Sequence, residues 1–131
     1  MIRPRILLAD DHPALLERTA ALLKPHFDVV GTTRDGATLV SETLRLCPDV
    51  IVVDITMPVL NGIDAARLLR EADSVTKVVF LTIHSEEAFI NACMAEGALG
   101  YVLKTHMKAD LIPAIQAALG GESYISPSVS K

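Results

Sequence analysis

At 131 residues the chain has the size of one domain and can bury a continuous core without disulfides or a structural metal. Half of its residues are hydrophobic, yet no apolar run reaches the length of a membrane span and the N-terminus lacks the apolar segment of a signal peptide, so a soluble cytoplasmic protein is expected. The net charge of −4, with twelve Lys and Arg that do not cluster, argues against a nucleic-acid surface on this segment.

The first predicted element is a strand over 6–9, apolar as a strand buried on both faces must be, and it ends in two adjacent carboxylates, Asp10 and Asp11. Pro13 suits the first turn of a helix whose apolar face is Leu15, Leu16, Thr19, Leu22 and Leu23. A second strand, "FDVVGT" at 27–32, leads through Asp35 and Gly36 into helix 2, whose period is carried by Leu39, Val40, Thr43, Leu44 and Cys47 and which Pro48 closes. "DVIVVD" at 49–54 is the third strand, followed by a helix on Ile63, Ala66 and Leu69. "KVVFLT" at 77–82 is the fourth. Ser85, with Glu86 and Glu87, supplies an N-cap and acidic first turn for a helix bearing Ala88, Ile90, Ala92 and Cys93, which Gly97 ends.

The fifth strand is "GYVLK" at 100–104, and Leu111, Ile112, Ile115, Ala118 and Leu119 mark the fifth helix. Pro113 inside that helix would delete a backbone hydrogen bond. Either Asp110 is the N-cap and Pro113 falls in the first turn, or the helix is kinked; the first is the favoured expectation. "ESYISPSVSK" at 122–131 has no apolar period and reads as a linker after a domain over 1–121. Cys47 and Cys93 lack metal-ligand spacing and read as buried free thiols.

Five strand–helix repeats with short connections imply a parallel sheet with right-handed crossovers and helices on both faces, a doubly wound α/β sandwich. Neither GxGxxG nor GxxxxGK[ST] is present, which removes the two common nucleotide-binding fingerprints. Ligands of such sheets bind beyond the carboxyl ends of the strands. There the sequence places Asp10 and Asp11, Asp54, Thr82 and Lys104. A lone Asp-Asp pair would read as a helix cap, but an all-oxygen cluster beside a lysine suits a hard cation such as Mg²⁺. With charge neutralised, a carboxylate can act as nucleophile towards a phosphoryl group, whose oxygens the Lys104 ammonium and Thr82 hydroxyl can hold.

"ADDHP", "VVDITMPVLNGID", "FLTIHS" and "GYVLKTH" resemble, in order and spacing, the signature blocks of bacterial two-component response-regulator receiver domains, over residues 5 to about 120. The resemblance implies a flavodoxin-like five-stranded sheet of order 2-1-3-4-5 with five helices on both faces. It makes Asp54 the phosphoacceptor, supplied by a sensor histidine kinase. Mg²⁺ is held by Asp54, by Asp10 and Asp11 (one directly, the other through water) and by the Thr56 backbone carbonyl. Tyr101, three residues before Lys104, turns inward when Thr82 moves to the phosphoryl group. Thr105 stands where many receivers have proline, so a trans Lys104–Thr105 peptide is expected. Thr56 and His84, each two residues past a site residue, are expected at the rim.

"LTIHSEE", "YVLKTH" and "AIQAALGGESYISPSV" resemble the NarL/LuxR subfamily, which implies a piece of a longer transcriptional regulator, a regulatory protein rather than an enzyme. Its DNA contacts would come only from a C-terminal helix-turn-helix domain outside this sequence, with homodimer formation on phosphorylation left open. A stand-alone receiver acting by protein contact, or a metal-dependent phosphohydrolase with Asp54 as nucleophile, are the alternatives; for the latter, no general acid stands at Thr56.

Overall fold

Period-two alternation along the central strands sorts their apolar side chains onto two cores at once. In the computed structural model, which describes residues 3–127, β1 (Arg5–Ala9), β3 (Val50–Val53), β4 (Lys77–Thr82) and β5 (Gly100–Leu103) lie parallel in the middle of one sheet. Leu7, Ala9, Ile51, Val53, Phe80 and Tyr101 join one core, whereas Ile6, Leu8, Val50, Val52, Val79, Leu81 and Val102 join the other. Helices α2 (Gly36–Leu46), α3 (Gly62–Glu71) and α4 (Glu87–Ala95) close the first core, α1 (Pro13–Leu23) and α5 (Met107–Leu119) the second. Coverage on both faces is why these strands read as unbroken apolar runs that turn polar only at their ends. Strand β2 (Asp28–Thr33) flanks β1, with the partial exposure of an edge.

The expected order is present, but the sheet has a sixth strand: β2-β1-β3-β4-β5-β6. Strand β6 (Tyr124–Ile125) pairs parallel with β5, Gly100 opposite Tyr124 and Tyr101 opposite Ile125. It falls in the stretch read as linker, because two residues are too short to carry a periodic signal. Residues 128–131 of that expected linker lie outside the described residues.

Three local expectations are corrected. Asp110 is not the N-cap of α5, which starts at Met107 after a 3-10 turn at Lys104–His106 and is capped at His106. Its carboxylate accepts hydrogen bonds from Tyr124 and Ser126 instead, and Pro113 lies inside the helix. The carbonyl that Pro113 leaves without a helical partner belongs to Ala109, an exposed residue that water can reach. Helix α4 is capped at Glu86 rather than Ser85, whose N–H donates to the Glu86 side chain at 2.9 Å. Cys47 is exposed, because it ends α2 in the left-handed conformation (φ 48°) and turns away from the core. Among the described residues no peptide is cis, so Lys104–Thr105 is trans as expected.

Cys93 is buried among apolar side chains, and burial pushes its thiol up to about 12. Under native conditions at pH 8, a maleimide should modify Cys47 alone, with Cys93 reacting only on addition of denaturant. Intact mass after timed quenching checks this, and two fast additions to the native protein would contradict the packing described.

Candidate functional site

A parallel sheet brings all its carboxyl ends to one edge, and the residues just past those ends meet there. Asp10 and Asp11 follow β1, Asp54 follows β3, Thr82 closes β4, and Lys104 opens the 3-10 turn after β5. The Lys104 Nζ lies 2.8 Å from Asp10 Oδ2 and 3.1 Å from Asp54 Oδ2. Ladder hydrogen bonds fix both carboxylates at the backbone: the Asp10 N–H donates to Thr33 and the Asp54 N–H to Ala9. Neither aspartate caps α1, whose N-cap is His12, although Asp10 Oδ1 accepts the His12 backbone N–H at 2.9 Å.

Asp10 and Asp54 are each only 4% exposed, so the site concentrates negative charge in a poorly solvated place. Burial raises the Asp54 carboxyl above its ordinary value; the Lys104 ammonium opposes the rise and the Asp10 charge adds to it. For Lys104 burial favours the neutral amine, but hydrogen bonds and charge from Asp10 and Asp54 outweigh it and raise the group. One ammonium therefore faces two buried carboxylates, and a third, Asp11, adjoins them. Asp11 Oδ1 is buried without a hydrogen-bond donor, although the His12 Nδ1 stands 3.0 Å away. Oxygens of Asp10, Asp11 and Asp54 and a ring nitrogen of His12 lie within 4.8 Å of one another. An orphaned buried carboxylate oxygen in a mainly oxygen donor set fits a hard divalent cation.

His12 is the residue the sequence reading missed. Its only signal was adjacency to the Asp pair, since the ring reaches back to both carboxylates, at 3.1 Å from Asp10 Oδ1.

The loop after β3 forms the wall beside Asp54. The Thr56 N–H points at Asp54 Oδ1 at 3.4 Å, and the Gly62 N–H returns to the Ile55 carbonyl. A Cβ at Gly62 would overlap the Asp54 carbonyl oxygen, so only glycine lets α3 start so close to the end of β3. Val59 takes a positive φ of 69°, with the Leu60 N–H bonded to the Pro58 carbonyl in a three-residue turn, a strained conformation for a β-branched residue.

His84 gathers the remaining expected residues. Its backbone N–H donates to Thr82 Oγ1 at 3.2 Å, and its carbonyl accepts the Tyr101 hydroxyl at 2.7 Å. Its ring lies 3.3 Å from Thr56 Oγ1 through Nε2 and stacks on Phe89 of α4. Thr56 and His84 thus meet beside Asp54. Thr82 and Tyr101, both fully buried, are tied to the same loop. Tyr101 already points inward here, and burial raises its phenol.

The chain belongs to the response regulator receiver domain family, whose model matches residues 6–116. Its relatives are transcriptional regulators. The regulatory protein MctR of Rhizobium johnstonii is 35% identical over 95% of this chain and 59% of its own length; DegU of Brevibacillus brevis is 38% identical over 96% and 54%. The chain spans little more than half the length of these relatives. A solved LuxR-family two-component response regulator from Aurantimonas sp. SI85-9A1 superposes with a TM-score of 0.92 at 34% identity, covering 98% of this chain and 93% of the other. The chain is therefore a receiver domain of the NarL/LuxR type, a regulatory domain with the flavodoxin-like fold.

A carboxyl raised by burial makes the ionised form a burden on the folded state: its contribution is unfavourable above its folded pKa and vanishes as pH falls below the ordinary carboxylate value. Asp54→Asn should therefore raise the urea midpoint at pH 7 in the absence of divalent cations, and the gain should shrink as pH falls towards 4. Equilibrium urea unfolding across that range checks the sign, and a lowered midpoint at pH 7 would refute it.

Proposed function

We propose that Asp54 accepts a phosphoryl group from the phosphohistidine of a sensor histidine kinase, and that the modified domain controls transcription through a DNA-binding domain that follows it in the whole protein. The observation that carries this reading is the Lys104 ammonium within 3.1 Å of Asp54 and 2.8 Å of Asp10. An Asp54 oxygen attacks phosphorus, the P–N bond to the imidazole breaks, and the ring nitrogen keeps the electron pair. Lys104 then holds one phosphoryl oxygen, and the Thr82 hydroxyl, whose oxygen accepts the His84 N–H, turns to donate its proton to another. Mg²⁺ would sit among Asp10, Asp11, Asp54 and the Thr56 carbonyl, where it would supply the positive charge that three carboxylates and one lysine lack.

The relatives' greater length and their names as transcriptional regulators support the DNA-binding output. Homodimer formation on phosphorylation belongs to the same reading. Exchange of partners by Thr82 would act on the loop that also holds Tyr101 and stacks on α4, which gives the phosphoryl group different contacts in two conformations. A connection to the next domain follows the receiver domain in this reading.

Acetyl phosphate with Mg²⁺ should add one phosphoryl group to the protein, seen as an intact-mass shift that EDTA or Asp54→Asn abolishes. An adduct that persists in Asp54→Asn would overturn the assignment.

Hydrolysis of that adduct requires water to reach the phosphorus in line with the Asp54 oxygen, past Thr56 and the His84 ring. His84→Ala should change the half-life of the phosphoprotein several-fold while Mg²⁺ binding stays near that of the parent. Identical decay curves would remove His84 from the rim chemistry.

A further inference from the structure

The segment after α5 is fastened to the strand that carries Tyr101 and leads into Lys104. Ser126 is fully buried, its N–H donates to the Tyr101 carbonyl at 2.8 Å, and its hydroxyl accepts the Leu103 N–H at 3.1 Å. That hydroxyl in turn donates to Asp110 Oδ2 at 2.8 Å, while the Tyr124 hydroxyl donates to Asp110 Oδ1 at 2.9 Å. One buried carboxylate on α5 thus holds Tyr124 of β6 and Ser126 just after it, and Ser126 holds the last amide before the site lysine. These residues lie past 116, where the family match ends, apart from Asp110 itself.

Leu103 is where the chain leaves the sheet: the next residue, Lys104, starts the 3-10 turn and must place its ammonium between two carboxylates on other strands. An amide pinned on the outer side of β5 fixes the plane from which that side chain departs. Without the Ser126 hydroxyl the Leu103 N–H would be buried and unpaired, and the strand end would shift to find a partner. A chain of bonds from Asp110 through Ser126 to Leu103 is satisfied at every donor, the condition under which a buried polar network rigidifies its surroundings.

We infer that Ser126, held by the Asp110 carboxylate, is a positioning residue for Lys104, so that the segment Tyr124–Ser126 is part of the phosphoryl-binding machinery and not merely a tether. The inference rests on the reading of Lys104 as a phosphoryl ligand. Its physical content is coupling: loss of the Ser126 hydroxyl should matter to the site only through Lys104.

The test is a double-mutant cycle on the full chain, with beryllofluoride and Mg²⁺ as the probe and intrinsic tyrosine fluorescence or amide NMR as the readout. Ser126→Ala should weaken beryllofluoride binding about fivefold, the equivalent of one ordinary hydrogen bond, and Ser126→Thr should restore it to within about twofold. In a Lys104→Ala background, Ser126→Ala should have no further effect. Unchanged binding in Ser126→Ala, or the same weakening with and without Lys104, would overturn the inference. Should Lys104→Ala itself bind as the parent does, the reading of the site fails instead. If Ser126→Ala does not fold, Asp110→Asn, which keeps size and weakens the same bonds, carries the comparison.

Discussion

The ion pair of one lysine with two aspartates, each from a different strand, is the interaction on which the arrangement of this domain depends. Asp10, Asp54 and Lys104 are distant in sequence, and only a parallel order that sets β1 beside β3, with β5 two strands further across β4, brings their side chains within 3.1 Å. A buried carboxylate left unpaired would cost several kcal/mol, so the pair stabilises by avoiding a penalty as much as by attraction. It also leaves the site short of positive charge, with Asp11 Oδ1 lacking any donor. That deficit suits the edge to a divalent cation.

From this edge two routes lead outward. One runs through the loop after β4, where a single residue, His84, engages Thr82, Tyr101, Thr56 and Phe89 by its backbone and its ring. Within this stretch Ile83 is exposed, whereas its neighbour Thr82 is buried. The second route runs along β5 to β6 and Ser126. The first rests on loop and side-chain hydrogen bonds, the second on bonds at the edge of the sheet.

The loop after β3 bears a different kind of constraint. Val59 at positive φ, 85% exposed, gains no packing for a backbone conformation that costs on the order of 1–3 kcal/mol in a non-glycine residue. The loop is held there by its ends, with Gly62 pressed against the Asp54 carbonyl and Gly36 of α2 against the Leu60 carbonyl. The strained residue and the two close backbone contacts thus all lie in the loop beside Asp54.

Most of the fold and the main site residues were legible in the sequence, because strands buried on both faces must be apolar and must announce their polar ends. That single constraint located Asp10, Asp11, Asp54, Thr82 and Lys104, and the parallel sheet implied by alternating strands and helices put them on one edge. What the sequence left undetermined were features decided by partners far along the chain. Strand β6 exists because β5 offers an open edge and Asp110 a buried acceptor, neither of which marks residues 124–126 locally. Asp110 looked like a helix cap because an acidic residue near a proline has that propensity, yet its tertiary hydrogen bonds claimed it. Cys47 followed the apolar period of α2 but ended it in a left-handed turn that exposes the thiol. Local periodicity and strand-end chemistry are written in neighbouring residues; the closing of the sheet, the reach of His12 and the fastening of Lys104 depend on which distant groups meet, and only the packed structure brings those together.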